Sequence, residues 1–135
     1  MLSQTGIYAL KAMGYIASQP EGTPILSQII SKKTQIPQNF LSKILNRLVQ
    51  GGIILSIRGR GGGFVLAKPA SKIFLKDIIG LFMKIDDFQK CFLGNIKCDG
   101  SCGLHDRWKI IADQLETLLS DTTVDQLETN PAVTG

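Results

Sequence analysis

The stretch 36-IPQNFLSKILNRLVQGGIILSIRGRGGGFVLAKPA-70 changes period halfway, and that change sets the fold. Its first half is helical. Phe40, Leu41, Ile44, Leu45 and Leu48 make an apolar stripe at steps of three and four. Pro37 suits the first turn of a helix, where its missing N–H costs nothing. Gln38, Asn39, Ser42, Lys43, Asn46 and Arg47 cover the other faces, and Gly51-Gly52 ends the helix. Two short strands follow, IILSI (53–57) and GFVLAK (63–68). Between them lies RGRGGG, a glycine-rich tip carrying Arg58 and Arg60.

Upstream, a helix is expected from about Thr5 to Ser18, with Ile7, Leu10, Met13, Gly14 and Ala17 on one face. QPEGTP (19–24) breaks it. A short second helix is expected over roughly Leu26 to Lys33, placing Ile29 and Ile30 inward. Three helices followed by a hairpin is the order of a winged helix-turn-helix, in which the third helix enters the major groove. The fold class is thus mainly α with a small β-hairpin wing, extended by a long C-terminal helix.

Downstream, SKIFLKDIIGLFMKIDDF (71–88) reads as one more helix with Leu75, Ile78, Ile79, Leu81 and Phe82 as its apolar band. A loop with Gly94, Gly100 and Gly103 and no periodicity comes next. A long helix then begins near Gly103 or Leu104. Leu104, Trp108, Ile111, Leu115 and Leu118 fall at steps of 4, 3, 4 and 3, the seam of a helix that pairs with another helix or else packs on the chain's own core. Thr123 and Gln126 form a capping box for a last short helix. The expected organisation is a DNA-binding domain (1–70), a connecting helix (71–90), a Cys-rich loop (91–103), a dimerisation helix with a terminal short helix (104–128) and a tail (129–135).

Charge divides the chain. Residues 1–70 hold eight Lys or Arg and one acid, Glu21; residues 71–135 hold seven bases and ten acids. A basic front half points to a polyanionic partner for that half alone. DNA binding needs cations for phosphates and hydrogen-bonding side chains for base edges. Gln38, Asn39, Ser42, Lys43 and Arg47 on the third helix, with Arg58 and Arg60 on the wing, supply both. Asn and Gln suit adenine, and Lys suits guanine or phosphate. A nucleotide-cradling role for the glycine tip is disfavoured, because a strand follows it rather than a helix and no Lys-Ser/Thr pair is present.

The apolar fraction of 44% is that of an ordinary folded domain. No run approaches the ~18–20 apolar residues that span a bilayer. The N-terminus has no charged start and carries Lys11 within its apolar stretch, which reads as an amphipathic helix rather than a signal peptide. A cytoplasmic location with no membrane partner is expected. There, three cysteines (Cys91, Cys98 and Cys102) and the single His105, all within fifteen residues, argue for metal or redox chemistry over structural disulfides. Thiolates and imidazole suit iron–sulfur clusters and also zinc. No nucleophile with an adjacent base and no carboxylate pair stands out, so an enzyme is not expected.

The chain resembles the bacterial winged-helix regulators typified by IscR, NsrR, RirA and CymR. GIYALKAM (6–13), IPQNFLSKILNRLVQGGII (36–54), IRGRGGGFVLAKPASKIFLKDII (57–79) and the Cys segment ending in CGLHDRW (102–108) carry the resemblance, which spans about residues 1–130. It implies a homodimeric transcription factor, repressor or activator, that binds operator DNA. It further implies an iron–sulfur cluster on Cys91, Cys98, Cys102 and His105 that senses iron, cluster status, nitric oxide or redox stress. Cys102 and His105 keep the three-residue step of IscR-like members, whereas C-x6-C-x3-C departs from the commoner gaps of about five. Residues 1–20 lack Asp and Glu, so the carboxylate ligand of some members is absent and [2Fe–2S] is favoured over [4Fe–4S]. Ser42 stands where IscR-like proteins carry a glutamate that selects DNA sites. Zinc, or a thiol switch without a cluster, is the alternative.

Overall fold

The computed structural model describes residues 3–84 and 103–127. Helix α1 (Gln4–Ser18) starts where Ser3 Oγ accepts the amide hydrogen of Gly6 at 3.1 Å. α2 (Ser27–Thr34) ends at Gln35, which turns into the left-handed region at φ 60°. Ser31 Oγ donates to the Ile36 carbonyl at 2.5 Å and ties that turn to the end of α2. α3 (Gln38–Gln50) buries Leu41, Ile44, Leu45 and Leu48. Its end is closed by the Gly51 amide on the Arg47 carbonyl, after which Gly52 adopts φ 75°.

Strands β1 (Ile54–Ile57) and β2 (Gly63–Leu66) pair antiparallel, from Ile54 opposite Leu66 to Ile57 opposite Gly63. Ile25, in the α1–α2 connection, bridges Phe64 of β2 through reciprocal backbone bonds of 3.1 and 2.9 Å. This third extended segment fastens the wing to the helices. Gly63 is required there. Its φ is +144°, and a Cβ would lie 2.5 Å from the Ile25 carbonyl carbon.

The expected single helix over 71–88 is not formed. The segment divides into a 3-10 turn (Ala70–Lys72), extended Ile73 and Phe74, and a short α4 (Leu75–Ile79). Residues 85–88 lie outside the described residues. The break has a tertiary cause. Ile73 and Phe74 pair with the end of the chain: Phe74 bridges Thr123, the Val124 amide donates to the Ile73 carbonyl at 2.8 Å, and the Leu75 amide donates to the Thr122 carbonyl at 3.0 Å. A helix through 73–74 would lose these bonds. Asp77 Oδ2 accepts the Phe74 amide at 3.2 Å and marks the true start of α4.

α5 (His105–Asp121) is followed by a 3-10 turn (Val124–Gln126). Gln126 Oε1 accepts the Thr123 amide at 3.0 Å, the expected capping box on a shorter element. α5 lies on the same core as the first three helices through Ala112 and Leu119, seven residues apart.

α1 sits at the centre, touching α2, α3, α4, β2 and the last 3-10 turn. Its deepest residues are Ala9, Ala12, Met13 and Ile16, with Ile7, Leu10 and Ala17 only half-buried. The buried face is turned from the expected stripe because small side chains are needed where helices close in from several sides. Two residues expected inside are outside. Ile29 is 43% exposed and Phe40 is 53% exposed. Both lie at the margin of their stripes, where the neighbouring residue (Ile30, Leu41) takes the core position.

Candidate nucleic-acid interface

α2 and α3 are joined at their polar faces as well as through the core. Gln38 Nε2 donates to Ser27 Oγ on α2 at 3.1 Å and reaches Ser42 Oγ at 3.4 Å, while Ser42 Oγ donates to the Gln38 carbonyl at 2.9 Å. The first of these ties the start of α3 to the start of α2. Gln38, Asn39, Ser42 and Lys43 are all exposed near the N-terminal end of α3. They form the hydrogen-bonding, cationic surface expected from the sequence. The buried faces of α3 hold it against α1 and β1.

Arg47 is exposed but engaged elsewhere. Its Nε donates to the Leu81 carbonyl at 3.1 Å, across the chain to the turn after α4. The sequence grouped Arg47 with the DNA-contacting residues; its bond to Leu81 also ties this flank of α3 to the turn after α4. Leu81 also lies over the end of α3, with a Cβ added at Gly51 meeting the Leu81 side chain at 2.6 Å. Periodicity carries no signal for this contact, since 34 residues separate the partners.

Arg58 and Arg60 are exposed on the wing tip, where Gly59 and Gly61 adopt φ 92° and 70°. The Gly62 amide donates to the Gly59 carbonyl at 3.0 Å and closes the tip. The single acid of residues 1–70, Glu21, is exposed in the α1–α2 turn, away from α3 in the sequence. Within residues 1–70, the α3 surface and the wing therefore carry cations with no acid of their own.

His105 is the first residue of α5, and Asp106 stands in its first turn, where a negative charge is favoured. Cys91, Cys98 and Cys102 lie outside the described residues. Of the expected seam, Leu104, Ile111 and Leu118 are 39%, 48% and 53% exposed, while Trp108 and Leu115 pack partly on the chain's own core. The seam is thus shared between the core and an open stripe. No helix among the described residues is long and apolar enough to cross a membrane.

A three-helix unit with a polar third helix and a glycine-tipped wing defines the class of winged helix-turn-helix proteins. Within that class, the chain belongs to the Rrf2 family, whose model, described as an iron-dependent transcriptional regulator, matches residues 2–130. The HTH-type transcriptional regulator IscR of Escherichia coli O1:K1 is 32% identical over 134 residues, covering 98% of this chain and 82% of that protein. The solved structure of CymR, the global cysteine regulator of B. subtilis, superposes with a TM-score of 0.81 at 24% identity, over 96% of this chain and 98% of that one. T. potens IscR gives a TM-score of 0.75 at 25% identity, over 95% and 86%. The mainly helical, winged architecture read from the sequence is the architecture of these relatives, which are transcriptional regulators rather than enzymes.

Proposed function

We propose that this protein is a homodimeric transcriptional regulator that binds operator DNA through α3 and the wing, with that binding controlled by an iron–sulfur cluster. One observation carries the reading: an exposed polar and cationic α3 surface, with a basic wing, shares a chain with a Cys3His segment that runs into the first residue of α5. In this reading residues 1–70 bind DNA, 71–90 connect, 91–103 carry the Cys-rich loop and 104–128 dimerise, with residues 71–84 a jointed connector in place of a continuous helix.

In this reading Gln38, Asn39 and Ser42 meet base edges, and Lys43, Arg58 and Arg60 meet phosphates or the minor groove. Arg47 holds the connector. The open stripe Leu104, Ile111 and Leu118 takes a second copy, since exposed apolar residues at heptad spacing call for a partner helix. The donor set of Cys91, Cys98, Cys102 and His105 fits a [2Fe–2S] centre in number and softness, and such a centre would supply a reversible redox- and iron-dependent charge. His105 would bring that centre to the start of α5. The same donors fit zinc, which stands as the alternative together with a plain thiol switch.

The test is anaerobic purification with an absorption spectrum and iron, sulfide and zinc measured on one sample. Iron and sulfide in equal amounts, with visible bands lost on Cys98→Ala, is the expected result. A colourless protein holding about one zinc per chain, or no metal, sinks the cluster while leaving DNA binding in place. Footprinting on the promoter of its own gene tests the latter, and a discrete protected site is expected.

A further inference from the structure

A groove of about 580 Å³ lies between α1, α3 and the turn after α4. That volume is in the range of small-molecule sites, about 300–1,000 Å³. Tyr8, Phe40, Leu81 and Phe82 give it aromatic and aliphatic walls. The Tyr8 and Phe40 rings stand 6.5 Å apart at 49°, a tilted pair open on one side, and Phe40 is 53% exposed. Lys43 and Arg47 stand on the α3 wall, and no acidic side chain among the described residues lines the groove. The bond from Arg47 Nε to the Leu81 carbonyl holds the guanidinium against the apolar wall.

These features select an occupant. A wholly apolar molecule would cover Lys43 and Arg47 with no counter-charge from the described residues. A bare inorganic anion would leave Phe40 and Phe82 uncovered. A flat apolar body bearing one anionic fork satisfies both, because aromatic faces stack and an arginine fork matches a carboxylate. We propose that this groove binds a small aromatic carboxylate, its ring against Tyr8, Phe40 and Phe82 and its carboxylate on Lys43 and Arg47. The proposal does not depend on a metal centre. It has a consequence for the α3 surface. Lys43 belongs to both the groove and the exposed cationic face, so the carboxylate and a DNA phosphate compete for one cation, and each weakens the other by the same factor.

Calorimetric titration of the full chain at low salt tests this, with 1-naphthoate as probe and 1-naphthylmethanol as its uncharged match. Naphthoate is expected to bind, and the alcohol at least about tenfold more weakly, the effect of one charge-assisted hydrogen bond. Lys43→Gln and Arg47→Gln should each narrow that gap. Phe40→Ala, an exposed position whose truncation leaves the core intact, should weaken both compounds. Lys72→Gln, an exposed cation outside the groove, should change neither. Circular dichroism confirms that the variants are folded. Absence of naphthoate binding, equal binding of acid and alcohol, or a loss seen with Lys72→Gln alone overturns the site. Added duplex DNA is expected to lower naphthoate affinity, and an unchanged affinity overturns the shared use of Lys43.

Discussion

Single side chains carry separable tasks on this small scaffold. Lys43 is exposed on α3, so Lys43→Ala should weaken operator binding across sequences and reduce the salt slope of log K by about one. A binding titration at several salt concentrations measures both, and an unchanged slope would remove Lys43 from the phosphate contacts. Arg47→Ala should behave differently. It breaks the bond to Leu81 and should alter operator affinity with little change in salt slope. Gly63 is a backbone requirement rather than a contact. Gly63→Ala places a methyl against the Ile25 carbonyl in a conformation that L side chains avoid, and should cost about 1–3 kcal/mol in denaturant unfolding. A neutral result would show that the Ile25–Phe64 bridge yields easily.

At the scale of elements, α5 has two apolar faces with different fates. Ala112 and Leu119 are buried in the core, so Leu119→Ala should destabilise the chain by about 2–5 kcal/mol whatever its oligomeric state. Ile111 is 48% exposed on the open stripe, so Ile111→Glu should leave secondary structure unchanged and shift the protein to monomer in sedimentation. A variant that stays dimeric would move the interface off this stripe. The heptad steps were legible in the sequence, and so was the start of α5 near Leu104. The split of the seam was not, because periodicity shows which residues share a face but not which half of that face the chain covers itself. Trp108 and Leu115 turn partly to the core, and Leu104, Ile111 and Leu118 stay open.

At the scale of the molecule, the two halves of the chain are bound by contacts between residues far apart in sequence. The segment after α5 returns to pair with Ile73 and Phe74, just before α4. Leu81, after α4, holds the end of α3 by its carbonyl and its side chain. The segment after α5 is thus linked through Ile73, Phe74 and α4 to Leu81 at the end of α3. The charge division belongs to this scale too. The basic front half predicts steep salt dependence of DNA binding, while the acidic rear half contributes little to it.

The sequence by itself determined the local elements. Steps of three and four gave α1, α2, α3 and α5; alternation and glycine gave the hairpin; charge and side-chain type marked the α3 surface and the wing. These are properties of neighbours along the chain, and local patterns encode them. Tertiary structure alone decided what depends on distant partners. It broke the expected 71–88 helix at Ile73, because pairing with Thr122–Val124 satisfies backbone groups that a helix would have satisfied within itself. It turned the buried face of α1 toward Ala9, Ala12 and Ile16, because close helix approach from several sides favours small residues. It left Phe40 open to solvent beside Tyr8, and it drew Arg47 to Leu81. No periodicity reports such contacts, since each joins segments whose spacing in sequence is set by everything folded between them.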